Sequence, residues 1–167
     1  MRPGRADPPM DKRHVIAAIV ASLEAEVGRL ATAARTTHAE ATDAENKAEN
    51  KYDTRGLEAS YLAHGQSVAA RELALALAQY AALPARELAP GDPVSLGALV
   101  TVAAPAPSVY FIGPGAGGTE VRVGDRPVVV LTPQSPLGRQ LLGRRQGDVV
   151  QATMAGRPVA LAIESVG

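Results

Sequence analysis

The sequence predicts an α+β chain: an N-terminal antiparallel coiled-coil hairpin of two long helices, then a small antiparallel β-sheet with one short helix. Three observations carry this. A proline-free stretch from Asp11 to about Ala44 places apolar residues at heptad spacing. A segment rich in proline, Pro84 to Pro93, ends the helical pattern. Beyond it, apolar and polar residues alternate in short runs divided by Gly and Pro.

Composition narrows the function classes. The 167 residues suffice for one ordinary domain, or a small one with an extended element. One Phe, four Tyr and no Trp cannot build an aromatic ligand cage or a base-stacking platform. Seventeen basic and seventeen acidic residues cancel, so no net attraction to nucleic acid or an anionic membrane is expected. The absence of cysteine excludes disulfides, thiolate metal sites and thiol catalysis. No apolar run approaches the roughly 20 residues of a membrane span, and no signal-peptide pattern opens the chain. A cytoplasmic location is the expectation.

Residues 1–10 read as a disordered extension, with Met10 an alternative start. The hairpin is expected over 11–83. Its first arm has a seam of Ile16, Val20, Leu23, Val27, Leu30 and Ala34, and at about 1.5 Å per residue it would reach roughly 50 Å. Its second arm, about Leu57 to Leu83, offers Leu57, Tyr61, Val68, Leu73, Leu77 and Tyr80 as a buried stripe of looser period. The link near Asn46 to Gly56 is the most hydrophilic part of the chain. Residues 84–93 form a linker and 94–167 the C-terminal domain. There Val94, Leu96, Ala98, Val100 and Val102 alternate as a first strand, and further strands are expected at Val109 to Ile112, Glu120 to Val123, Val128 to Leu131, Val149 to Met154 and Val159 to Ile163.

The densest signal is Ser135 to Asp148. Ser135 suits a helix N-cap, Pro136 the first helical position and Gly143 a left-handed stop, which predicts a two-turn helix. Gly147-Asp148 then marks a turn into the next strand. With Leu137, Gly138 and Leu141 or Leu142, this run resembles the Ser-Pro-Leu-Gly-x-x-Leu-x-Gly-x-x-x-Gly-Asp stretch of the bacterial Gre transcript cleavage factors. The resemblance implies an FKBP-like half-barrel for the C-terminal domain and RNA polymerase as partner. It implies docking through Ser135, Pro136, Leu137, Gly138, Arg139 and Arg144, nascent RNA reached only indirectly, and neither membrane nor small-molecule substrate.

In that family the hairpin enters the polymerase secondary channel and its acidic tip acts at the polymerase active site. The family's tip reads approximately Gly-Asp-Leu-Ser-Glu-Asn-Ala-Glu-Tyr, and the comparable run here is Lys51 to Tyr61. With one extra residue allowed, Asp53 and Tyr61 match its Asp and Tyr, and Glu58 is the acid nearest its Glu. Aligned from Tyr61 without a gap, Leu57 stands at that Glu, and Arg55 adds a positive charge. The resemblance thus implies Asp53, Glu58 and Glu49 as catalytic carboxylates acting within the polymerase. Asp53 and Glu58 would share its Mg²⁺, which accepts one or two carboxylates readily. The resemblance further implies a free protein that needs no cofactor and acts by modulating the nuclease activity of the polymerase rather than through an activity of its own.

Plainer readings stand beside these. Glu45, Lys47, Glu49 and Lys51 also suit a solvated helix end, Asp53 a helix N-cap, and Glu58 the positive end of a helix dipole. Gly113 to Gly118 reads as a hairpin loop, since no helix or Lys-Ser/Thr pair follows it. Arg139, Arg144 and Arg145 with Arg122 or Arg126 suit a basic patch or simple solubility. Besides cleavage stimulation, three functions remain open: a regulator that occludes the channel without cleavage, a peptide-binding or prolyl isomerase module, and a self-pairing helical scaffold.

Overall fold

Asp11 starts the first helix. Its carboxylate accepts the Arg13 N–H at 2.8 Å, supplying one of the partners that a helix N-terminus lacks, and its carbonyl accepts the first intrahelical bond, from the Val15 N–H at 3.2 Å. The computed structural model describes residues 10–45, 54–103, 108–154 and 156–167, without the side chains of 41, 43–45, 54–60 and 63. Helices α1 (Lys12–Glu45) and α2 (Thr54–Ala81) precede strands β1 (Leu99–Ala103), β2 (Ser108–Ile112), β3 (Glu120–Val123) and β4 (Arg126–Leu131). Helix α3 (Pro136–Leu141) and strands β5 (Val149–Met154) and β6 (Arg157–Val166) complete the order. Two units form: one joins residues 12–20 with Ala82–Gly167, the other is Ala21–Ala81.

In the sheet-bearing unit the strand order is β3-β4-β2-β1-β6-β5. The expected all-antiparallel sheet is corrected here to a mixed one, because β2 and β4 run parallel, from Val109 beside Val128 to Ile112 beside Leu131. After β2 the chain passes the place that β4 will fill, lays β3 at the edge, and turns back at Gly124-Asp125. Two reversals leave β4 pointing along β2. Gly124 has φ 62°, as the first central residue of a two-residue turn of this kind requires. The Gly113 to Gly118 segment therefore joins non-neighbouring strands and is not the hairpin loop expected. Its Gly113 and Gly118 N–H groups donate to Leu131 and Val130 carbonyls, both at 2.8 Å.

The first strand is shorter than its alternation suggests. Gly97, at φ 84°, breaks the extended run, and Leu96 is 47% exposed rather than inward. Val94, Ala98, Val100 and Val102 do enter the core, with Tyr110, Ile112, Leu141, Val150, Ala152, Leu161 and Ile163. Leu137 and Leu142 pack against the same cluster, so α3 covers this sheet face. Val109, Phe111, Val128 and Val130 are buried too. By strand alternation they belong to the other face, and β2 is covered on both sides.

At the start of α1 the buried line is Val15, Ile19 and Leu23: Leu23 is a member of the expected seam, whereas Val15 and Ile19 replace its Ile16 and Val20, which are half-buried. Residues 12–20 group with the sheet-bearing unit and not with the rest of α1, which a heptad of two paired helices does not describe. Lys12 lies on this line, 3% exposed, with Nζ donating to the Arg86 carbonyl. Burial lowers its pKa from 10.5, against the raising effect of Glu87 and with a smaller lowering by Arg86. The unfolded chain then binds more protons than the folded one between the lowered value and 10.5, so stability rises with pH across that window. In urea unfolding, the wild type should gain on Lys12→Met as the pH is raised from neutrality toward 10.5; a difference that stays flat would refute this burial.

In the helical unit, Leu23, Ala76 and Tyr80 are buried among the described residues. Tyr61 and Val68, expected in the stripe, are 73% and 41% exposed. At 3.6 residues per turn they lie roughly 100–120° around α2 from Tyr80, so one face cannot hold all three. Leu73 and Leu77 are half-buried, and the Leu57 side chain lies outside the described residues.

Candidate partner-binding surface

The turn-helix-turn from Ser135 to Asp148 is built by local chemistry. Ser135 is extended (φ −66°, ψ 151°); its Oγ accepts the Gly138 N–H at 3.0 Å and donates to the Thr132 carbonyl at 2.9 Å. Pro136 follows at the first helical position, where no N–H is needed. Gly138 is fully enclosed: a Cβ there would lie 2.0 Å from Thr132 O and 2.7 Å from Ser135 Oγ. Leu141 is wholly buried.

Gly143, at φ 77°, reverses the chain after the C-cap Leu142. Its N–H donates to the Val94 carbonyl at 2.8 Å, while the Val94 N–H donates to the Arg144 carbonyl at 2.7 Å. This two-way clasp ties the end of α3 to the segment before β1. In the second turn, Asp148 Oδ2 accepts the Arg145 N–H at 2.9 Å, and the Arg145 guanidinium donates to the Gly91 carbonyl. Gly147 N–H reaches the Ile163 carbonyl at 2.9 Å, fixing the turn to β6.

Ser135, Pro136, Leu137 and Gly138 thus shape the turn, whereas Arg139 and Arg144 are exposed. Neither has an ion pair among the described residues. Arg122 and Arg126 stand apart from them. They flank the β3–β4 turn, at the end of β4 remote from α3, and Arg122 donates to the Asp125 carbonyl at 3.1 Å. The five arginines do not form one patch.

Glu49 and Asp53 lie outside the described residues, and Glu58 belongs to the second turn of α2 with its side chain likewise outside. Among the described residues no group of three His, Cys, Asp or Glu could hold a metal, and no helix is long and apolar enough to cross a membrane. Sequence reasoning missed the Val94 clasp and buried Lys12. The one available sign for Lys12 was its position one turn before Val15.

No family model and no curated protein matches the chain. Solved structures do, three of them as follows. GreA factor homolog 1 of Thermus thermophilus is 17% identical, with TM-score 0.37 over 89% of this chain and 94% of that one. A structure of the transcription factor Gfh1 is 18% identical, with TM-score 0.38 over 89% and 93%. Gfh1 of Thermus aquaticus is 14% identical, with TM-score 0.36 over 87% and 91%.

Proposed function

We propose that this chain is a Gre-like regulator of RNA polymerase. In this reading the sheet-bearing unit docks on the polymerase through the surface around α3, and α1 and α2 act as a hairpin inserted in the secondary channel. The observation that carries the reading is the Ser135–Asp148 run. Its Gre-like residues are used up in building a rigid turn-helix-turn, and what this scaffold presents outward is the Arg139 and Arg144 pair. Rigid presentation lowers the entropy cost of meeting an acidic partner. Asp53 and Glu58 would provide the oxygen donors that Mg²⁺ prefers, and Glu49 a third carboxylate nearby in sequence.

Leu57 and Arg55 favour a second form of this reading, in which the hairpin fills the channel without promoting cleavage. The isomerase alternative has less support, because Tyr110 and Phe111, the sheet-bearing unit's two aromatic residues, are both buried in the core.

A backtracked elongation complex separates these outcomes. Wild type should bind core polymerase, and Arg139→Glu with Arg144→Glu should weaken binding about tenfold or more. RNA release that Asp53→Ala with Glu58→Ala abolishes would establish cleavage stimulation. Binding without release would establish occlusion, and failure of the intact wild type to bind would end the proposal.

A further inference from the structure

The two edges of the sheet differ. Strand β3 has four residues and carries exposed Glu120 and Arg122, so it is short and charged, as edges that resist pairing are. Strand β5, at the opposite edge, reads Val149-Val150-Gln151-Ala152-Thr153-Met154, with neither charge nor proline. Val149 is 54% exposed and Met154 36%. Among the described residues β5 pairs with β6 alone, and no other backbone hydrogen bond reaches its outer side.

The phase of that outer side follows from one bond. Ile163 N–H donates to the Asp148 carbonyl at 2.8 Å, so Asp148 faces β6. By antiparallel alternation Val150, Ala152 and Met154 face β6 as well. Val149, Gln151 and Thr153 therefore turn their N–H and C=O groups to the open edge. These open groups are placed symmetrically about Gln151.

We infer that this edge is a self-association surface, where a second copy of the chain adds its own β5 antiparallel about a two-fold axis at Gln151. In that register Val149 lies opposite Thr153 of the second copy and Gln151 opposite Gln151, so every open N–H and C=O of both strands is paired. Val149 and Thr153 make a β-branched cross-strand pair on the outer face. On the inner face Val150 meets Ala152, both buried in the core cluster, so the apolar row runs on from one copy to the next. A slip of one residue would set outer side chains against inner ones. A foreign extended peptide would also satisfy the backbone. A second copy is favoured because β5 carries no charge and meets itself without repulsion, and because the register about Gln151 gives exposed Val149 a β-branched partner on both copies at once.

The chain has no cysteine, which makes the test direct. Across the two-fold, Gln151→Cys would place two Cα atoms about 5.5 Å apart, within disulfide range. Glu120→Cys on β3 is the control. In sedimentation the wild type should shift from monomer to dimer between about 1 and about 300 µM. Mild oxidation should cross-link Gln151→Cys and not Glu120→Cys. Gln151→Lys sets two ammonium groups face to face and should raise the dimer dissociation constant at least about tenfold, with circular dichroism and melting temperature unchanged at about 1 µM, where both proteins are monomeric. Val149→Lys should act likewise. A wild type that stays monomeric over this range, a dimer that both lysine variants leave intact, or equal cross-linking of the two cysteine variants would overturn the proposal.

Discussion

Gly138→Ala should cost about 3 kcal/mol or more of stability, since a Cβ forced into a closed site makes the backbone move and also strains the Ser135 cap. The added carbon would stand 2.0 Å from the Thr132 carbonyl oxygen, which no side-chain rotation can relieve, because both groups belong to the backbone. Thr132 is held in turn: its carbonyl accepts from the Ser135 N–H at 3.0 Å and from Ser135 Oγ at 2.9 Å. Gly143 makes the contrast. Nothing lies within 4 Å of a Cβ there, but φ is 77°, so Gly143→Ala should cost about 1–2 kcal/mol from left-handed backbone strain alone. Urea midpoints of the two variants against wild type rank the effects. If Gly138→Ala unfolds no sooner than Gly143→Ala, the close approach of Thr132 to α3 is wrong. The Gly138 variant should also lose the fixed setting of Arg139 and Arg144, and with it any polymerase binding that depends on them.

Above about pH 10 the wild type should lose stability relative to Tyr80→Phe, at a slope reaching about 1.4 kcal/mol per pH unit. Tyr80 is 1% exposed, and burial pushes its phenol well above the usual 10.0. The sign follows from proton counts. Above pH 10 the unfolded chain releases this proton while the folded one keeps it, so the unfolded state is favoured as the pH rises. The Lys12 contribution runs the other way below 10.5, but it is present in both proteins and cancels in their difference. Urea unfolding of the pair from neutral pH to pH 11 measures the gap. Parallel curves throughout would show that Tyr80 is not enclosed.

The sheet strands and α3 were legible because each is defined within a few residues. Ser135, Pro136 and Gly143 mark α3 by their own backbone preferences, and β3 and β5 have the bounds that alternation predicted. The seam of α1 was legible only in part. A heptad describes one helix against one partner along its whole length, whereas residues 12–20 group with the sheet-bearing unit, and there Val15 and Ile19 are buried in place of Ile16 and Val20. In the candidate site, the residue types were legible and their division of labour was not. Arg139 and Arg122 look alike in sequence, yet they belong to remote parts of the sheet-bearing unit.

By itself, then, the sequence determined what depends on neighbours along the chain: two long helices, six short strands, and a capped two-turn helix with glycine stops. Tertiary structure alone decided the parallel pairing of β2 with β4, the burial of Lys12, the enclosure of Gly138 by Thr132, and which sheet edge is left open. Each of these depends on groups brought together by folding, and the free energy that selects among such pairings is summed over the whole core rather than carried in any local run of residues.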